Sequence, residues 1–326
     1  MKLKKEFEEF HDSIKVTNTE ELKEKREMFE NEIKDNLPSI LSDHNITVNK
    51  SDISFFTQGS YATRTMVDTG GDIDIDLAIS FPLDININND CRIIKGYVRD
   101  SIDSYNRSIE IKKPCITVNY QKDIHVDLPV YAIYNDGYYL AVGKENADNF
   151  EWQKCDPKGL NSYFNDFLSY NDQLRHIIRY IKKWKSLKFN NDNEMPPSIA
   201  MTILACEYYE KKQEDGKDDD LTALYSLVTK IWNLLPMEDD PKLEVYLPKL
   251  PYTDTMFKIN NNSEYRKKFK NKLCYLKNQL SNALNSSDDH TASTYLQKIF
   301  GDEFPIHEKE TDELTSNKYR STGHFG

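Results

Sequence analysis

The most constraining stretch of the chain is Asp72-Ile73-Asp74-Ile75-Asp76-Leu77-Ala78-Ile79. Polar and apolar residues alternate with a period of two, which predicts a strand. Successive strand side chains point to opposite faces. The carboxylates of Asp72, Asp74 and Asp76 therefore share one face, and Ile73, Ile75, Leu77 and Ile79 share the other. The apolar face needs a core beneath it. The acidic face needs something to offset its crowded like charges, each of which makes the next harder to ionise. Two Mg²⁺ ions about 3.5–4 Å apart would do so and would serve phosphoryl transfer. A solvated strand face is the plainer alternative. An EF-hand loop also opens Asp-x-Asp-x-Asp, but it needs Gly at its sixth position and Glu at its twelfth. Leu77 and Leu83 stand there, so that reading fails.

Two other features gain weight from this strand. Gln58-Gly59-Ser60 follows a short apolar run, Ile53–Phe56. A Gly-Ser turn that opens a helix presents backbone N–H groups and a hydroxyl to an anion. Taken alone, it is as well explained as a simple turn. Asp127 lies in His125-Val126-Asp127-Leu128-Pro129-Val130-Tyr131. A lone carboxylate in an apolar strand is costly to bury. It reads either as a strand-end residue beside Pro129 or as a third metal ligand and general base from a neighbouring strand.

The chain around these features changes character twice. The first fifty residues read as helical, with interruptions at Pro38 and near Asn45. Segments 109–120, 124–134 and 138–142 read as strands, being rich in β-branched and aromatic residues. After Trp152 the pattern turns helical and stays so. Leu174, Ile177, Ile178, Ile181 and Trp184 form an amphipathic stripe. Ser198 precedes the apolar run Ile199–Cys206 as an N-cap would. Further helices are expected over 221–235, 264–284 and 291–300, with acidic loops at 214–220 and 238–241. From about Pro305 the chain reads as a loosely held tail. The order is helix, β-rich half, helical half, which predicts an α+β domain carrying a helical domain.

Composition narrows the function. The chain has 326 residues and a net charge of −11. That balance argues against a long nucleic-acid partner, whose affinity comes from Lys and Arg displacing counterions. It does not exclude a small anion held by a local patch. No run approaches the ~18 apolar residues of a membrane helix. The basic start has no apolar stretch behind it, so no secretory signal is expected. The five cysteines are scattered, with no Cys-x-x-Cys pair. They speak for a cytoplasmic location rather than for a zinc site.

Taken together, the Gly-Ser turn, the strand aspartates and the later Asp127 resemble the polymerase-β-like nucleotidyltransferases. Within that group the chain is similar to the bacterial cGAS/DncV-like enzymes (CD-NTases) of CBASS antiphage systems. The resemblance covers roughly residues 50–210. It rests on QGSYATRT at 58–65, DIDLAI at 74–79, VDLPVYAI at 126–133, W-x-K-C-D-P-K at 152–158, RYIKKWK at 179–185 and PPSIAM at 196–201. It implies a bilobal fold: a nucleotidyltransferase core over 1–165 with a mixed sheet, a helical domain over 166–304, and a flexible tail over 305–326. It chooses Asp74 and Asp76, with Asp127, as catalytic and metal-binding residues, and leaves Asp72 as an acidic neighbour. It implies nucleotide contacts from Gln58, Gly59 and Ser60, from Lys182 in a Lys-x-Trp pattern, and from Ser198 in a Pro-Ser-Ile pattern. The family's form at Ser198 is often longer. Tyr131 and Tyr134 are candidates to stack on a base.

The implied activity joins NTPs, ATP or GTP first, into a cyclic di- or oligonucleotide messenger. It needs two Mg²⁺ ions, for which Mn²⁺ can substitute. The implied partners are NTPs and, through the product, a downstream effector. A chain ending in Gly326 also resembles relatives whose C-terminus is joined to a target by an E1/E2-like partner. Two rivals remain. A linear-oligonucleotide or RNA-tailing enzyme would need a basic track, for which 175–185 and 266–272 are the only candidates. A silent nucleotide-binding protein would usually have lost the aspartates.

Overall fold

The aspartate alternation does form a strand, and the β-rich half assembles around it. The computed structural model describes residues 2–68, 73–102, 107–120, 124–189 and 193–309. Asp72 and the chain from residue 310, including Gly326, lie outside these. The main sheet has eight strands among the described residues: β1 (Ser54–Thr57), β2 (Ile73–Pro82), β3 (Arg107–Ile111), β4 (Ile116–Tyr120), β5 (Ile124–Leu128), β6 (Val130–Tyr134), β7 (Gly137–Val142) and β8 (Glu151–Cys155). β2 is central. β1 pairs with it antiparallel, while β5 and β6 pair with it parallel. The sheet is therefore mixed, and the class is α+β.

Among the described residues this half has four α-helices: α1 (Lys4–Ile14), α2 (Thr19–Asp43), the short α3 (Gly59–Ala62) and α4 (Cys91–Asp100). Burial fixes which face of β2 is which. Ile75, Leu77, Ile79 and Phe81 are fully buried. They share an apolar core with α2 and α4. Burying one such side chain is worth roughly 1.5–3 kcal/mol. A one-residue slip would expose them all and bury the carboxylates. The acidic face is thereby turned away from this core.

Several expectations needed redrawing. Pro38 does not interrupt its helix: α2 runs through it. Phe29, Ile33, Leu37 and Leu41 hold the helix to the sheet on both sides of the proline. Segment 109–120 is a hairpin, β3–β4, closed by Lys112 N–H donating to Cys115 O at 2.9 Å. Segment 124–134 is one extended line parallel to β2, divided at Pro129, whose carbonyl still accepts from Ile79 N–H at 2.9 Å. The helical half begins later than Trp152, because strand β8 carries on to Cys155. The amphipathic α4, starting at an Asp90 N-cap, went unread in the sequence.

The second half is helical as expected: α5 (Pro157–Leu168), α6 (Asp172–Lys188), α7 (Ser198–Tyr208), α8 (Asp220–Leu234), α9 (Phe257–Asn260), α10 (Ser263–Leu284) and α11 (Asp289–Phe300). These helices share a second apolar core. α1 joins that core, not the β-rich one that its place in the sequence suggests. Its Phe7 and Phe10 rings stand 5.3 and 5.5 Å from Tyr180, and Phe10 stands 4.8 Å from Phe300. The described part of the expected tail, 305–309, packs onto the helical half. Phe304 is buried on Phe7 and Phe10, and His307 N–H donates to Ser293 Oγ at 2.9 Å.

Candidate active site

Strand pairing brings the aspartates together. Asp76 and Asp127 are register partners on the parallel strands β2 and β5, and Asp74 pairs with His125 one step along. Asp74 and Asp76 share a face by alternation. The Gly59 turn closes over them. Gln58 N–H donates to Asp76 O at 3.0 Å, which lays the turn directly on the strand. Gly59 has φ +60°, and a Cβ there would stand 2.1 Å from Asp76 Oδ2. Glycine is needed at this position both for its backbone angle and for the space.

One cavity of about 560 Å³ holds the predicted residues, within the range of small-molecule sites. Gln58, Gly59, Ser60, Asp74, Asp76, Asp127, Lys182 and Ser198 all line it. Lys182 and Ser198 arrive from the helical half, so the cavity lies between the two cores. Ser198 differs in one respect from its expected local role. Pro197 is the N-cap of α7 and Ser198 is the first helical residue, so Ser198 is not the cap. Tyr131 is buried beneath the turn, where its hydroxyl donates to Gln58 Oε1 at 3.1 Å. Tyr134 sits at the far end of β6, bonded to Asn86 at 2.6 Å. Neither tyrosine lines the cavity as a stacking platform would.

The electrostatics follow from burial and crowding. Asp76 is pushed up to about 7, first by burial, then by Asp127 and Asp74, with Lys182 opposing. Lys182 is pulled down to about 7, first by burial, then by Lys185 and Arg179, with Asp76 opposing. Its ammonium donates to Thr65 O at 3.0 Å and Thr65 Oγ1 at 2.8 Å. Asp127 is held by a residue the sequence did not flag. Thr117, its register partner on β4, is buried and donates to Asp127 Oδ1 at 2.5 Å. Recognising 109–120 as a hairpin would have pointed to Thr117. Asn161, outside every quoted motif, also lines the cavity, as do Thr63 and Lys185, which lie within QGSYATRT and RYIKKWK but were given no role there.

Do these carboxylates suit a metal? Among the described residues no group of three or more His, Cys, Asp or Glu stands ready to hold one. The donor set is nevertheless of the right kind. Its ligands would be carboxylate oxygens, which Mg²⁺ prefers. The raised pKa of Asp76 records a charge that a cation there would offset. Asp74, Asp76 and Asp127 line one cavity from adjacent strands, so the donor chemistry fits such an ion.

The two basic clusters are largely consumed inside the protein. On α6, Arg175 pairs with Asp172, Lys183 with Glu303, and Arg179 and Lys182 donate to the carbonyls of Arg64, Met66 and Thr65. On α10, Arg266 pairs with Asp240, Lys268 with Glu194, and Lys270 donates to Glu238 O. The acidic loop at 238–240 is thus in part the counter-charge of the 266–272 cluster.

Residues 53–131 match the family model described as "Cyclic GMP-AMP synthase DncV-like, nucleotidyltransferase domain". The chain carries a DncV-like nucleotidyltransferase domain. The matched segment is the one that carries the Gly-Ser turn and the strand aspartates: it holds Gly59, Ser60, Asp74, Asp76 and Asp127. The c-di-GMP synthase of Roseivirga ehrenbergii is 25% identical over 190 residues, 49% of this chain and 50% of that protein. The match thus spans about half of that relative. Beyond the domain, the fold is that of solved DncV structures. Vibrio cholerae DncV cyclic AMP-GMP synthase superposes with a TM-score of 0.69 at 18% identity, covering 90% of this chain and 93% of that one. Escherichia coli DncV with 3'-deoxy GTP gives 0.65 at 17%, covering 90% and 93%. No helix among the described residues is long and apolar enough to cross a membrane.

Proposed function

We propose that this protein joins nucleoside triphosphates, ATP or GTP first, into a cyclic di- or oligonucleotide that serves as an antiphage messenger. One observation carries the reading. Asp74, Asp76 and Asp127, the Gly59-Ser60 turn and Lys182 all face one cavity between the two cores. That combination offers carboxylates where a hydroxyl must be activated, and donors where a triphosphate must be held.

Each residue then has a task. The Ser60 hydroxyl and the N–H groups at the start of α3 hold the donor triphosphate, and Lys182 neutralises part of its charge. Asp127, fixed by Thr117, accepts the proton of the acceptor's ribose hydroxyl. The cavity aligns that oxygen with the α-phosphorus, and pyrophosphate leaves. Asp74, Asp76 and Asp127 would hold Mg²⁺, which supplies charge neutralisation at the phosphoryl oxygens and lowers the pKa of the attacking hydroxyl. A second round within the linear intermediate would close the ring. Relatives support the product class: one is a c-di-GMP synthase, and Vibrio cholerae DncV was solved with the linear intermediate 5' pppA(3',5')pG. The tail reading, with Gly326 joined to a target by an E1/E2-like partner, belongs to the same proposal.

The test is incubation with Mg²⁺ and α-labelled NTPs, followed by phosphatase. A phosphatase-resistant product, abolished in Asp74→Asn/Asp76→Asn, supports the proposal. Product only with added RNA would favour a tailing enzyme. No product under any condition would favour a silent binding protein. For the tail, unchanged conjugation after deletion of Gly326 in cells carrying the partner genes would refute that part.

A further inference from the structure

Helix α6 reaches across to the stretch of chain that follows the Gly59-Ser60 turn. Arg179 donates to the carbonyls of Arg64 and Met66, Lys182 to that of Thr65, and Lys183 to that of Asp68. The other side of this stretch is tied to the end of α1, where Asp68 N–H donates to Ile14 O at 2.7 Å. Its path is therefore set by the helical half, although it belongs in sequence to the β-rich half.

Inside this clasp a line of hydroxyls runs back to the turn. Lys182 Nζ is 2.8 Å from Thr65 Oγ1, Thr65 Oγ1 is 2.8 Å from Thr63 Oγ1, and Thr63 Oγ1 is 2.9 Å from Gly59 O. Thr65 is 0% exposed and Thr63 6%. The two ends fix the sense of the chain. A lysine ammonium has only protons to give, and a carbonyl only lone pairs. The order is Lys182 N–H to Thr65 O–H to Thr63 O–H to Gly59 C=O. Away from water, hydrogen bonds in such a line strengthen one another.

We propose that Thr63 and Thr65 are positioning residues. They couple the Lys182 ammonium to the Gly59-Ser60 turn, so that the two halves of the triphosphate subsite, one from each core, keep a set spacing before a nucleotide arrives. The proposal rests on the reading of the cavity as a nucleoside-triphosphate site. Order present in advance does not have to be supplied by the ligand's binding energy. Without the relay, affinity for the nucleotide suffers first.

Thr65→Val keeps the side-chain shape and removes the hydroxyl; Thr65→Ser keeps the hydroxyl. The expected result with ATP and GTP is a KM raised about tenfold in Thr65→Val, with kcat changed less than about threefold and Thr65→Ser within about twofold of wild type. A Thr65→Val enzyme like wild type overturns the proposal, as does equal impairment in both variants. A second measurement needs no activity. Lys182 and Thr63 meet only through Thr65, so Lys182→Met and Thr63→Val should be non-additive in urea-unfolding midpoints. Additive effects overturn the relay. A wild-type protein that transfers no nucleotide would sink the proposed function, and the unfolding cycle would still decide on the relay.

Discussion

Gly59 and Asp76 are in contact across the turn: a Cβ on Gly59 would stand 2.1 Å from Asp76 Oδ2, at a backbone φ of +60°. Neither penalty can be relieved without moving the other residue. The turn cannot back away, because Gln58 N–H is bonded to Asp76 O. Gly59→Ala should therefore displace the carboxylate or the turn. The expected outcome is a loss of nucleotidyl transfer of about 100-fold or more, since small misplacements of reacting groups cost on that scale. The stability cost should be only about 1–3 kcal/mol. Activity within threefold of wild type, in a folded variant, would refute the account.

Asp76 sets a pH dependence whose sign can be worked out. Its folded pKa is raised from 3.8 to about 7. The folded state thus binds more protons than the unfolded state between these values, and this group's contribution to stability is present at low pH and lost as pH rises through about 7. Asp76→Asn removes the ionisable group. Without divalent ions, the variant should gain stability relative to wild type at pH 8, with the advantage shrinking at pH 5. Mg²⁺ should reverse the ranking, raising the melting temperature of wild type more at about pH 8 than at about pH 5 and leaving the variant little changed. Urea and thermal unfolding at the two pH values check both halves. A wild type equally stabilised by Mg²⁺ at both would contradict the assignment.

Thr117 makes a prediction about orientation rather than charge alone. Its hydroxyl holds Asp127 Oδ1, and Asp127 lines the cavity. Thr117→Val should lower kcat about 10- to 30-fold with KM within about threefold, as expected when a group's orientation matters only in the transition state. Thr117→Ser should restore most of the rate. Equal rates for Val and wild type would show that Asp127 needs no such support.

What the sequence made readable was whatever depends on local spacing. The alternation around Asp74 and Asp76 predicts both the strand and its faces, and the stripe of α6 predicts that helix. The four-residue-spaced apolar positions of α2 were equally present, but Pro38 was weighed by its local cost of ~3 kcal/mol. Burial of Phe29, Ile33, Leu37 and Leu41 on the sheet outweighs that cost, and such burial cannot be read locally. Long-range pairing was hidden for the same reason. Thr117 meets Asp127 only through hairpin register, and Thr65 meets Lys182 across 117 positions of sequence. The packing of α1 on α6 and α11 likewise depends on where the chain returns, so Phe7 and Phe10 gave no hint of which core they would join.

Lys95 tests the β-rich core away from the site. It is fully buried on α4, and its ammonium donates to Lys112 O at 2.6 Å, Lys113 O at 3.2 Å and Gly143 O at 2.7 Å. Burial pulls its pKa down to about 8, so at pH 7 it remains mostly charged. In effect it is a built-in cation that ties the β3–β4 turn to the end of β7. Lys95→Met would fill much of the same volume but take a donor from the Lys112 and Gly143 carbonyls, while Lys113 O keeps the Gly143 N–H at 2.8 Å. Each buried unsatisfied group costs about 1–3 kcal/mol, so with partial relaxation the expected total is about 3 kcal/mol. It should appear as a lower urea midpoint at unchanged slope. Transfer activity per folded molecule should stay the same, because Lys95 does not line the cavity. A midpoint shift worth less than about 0.5 kcal/mol would mean that the turn finds other donors and that Lys95 is not its tie.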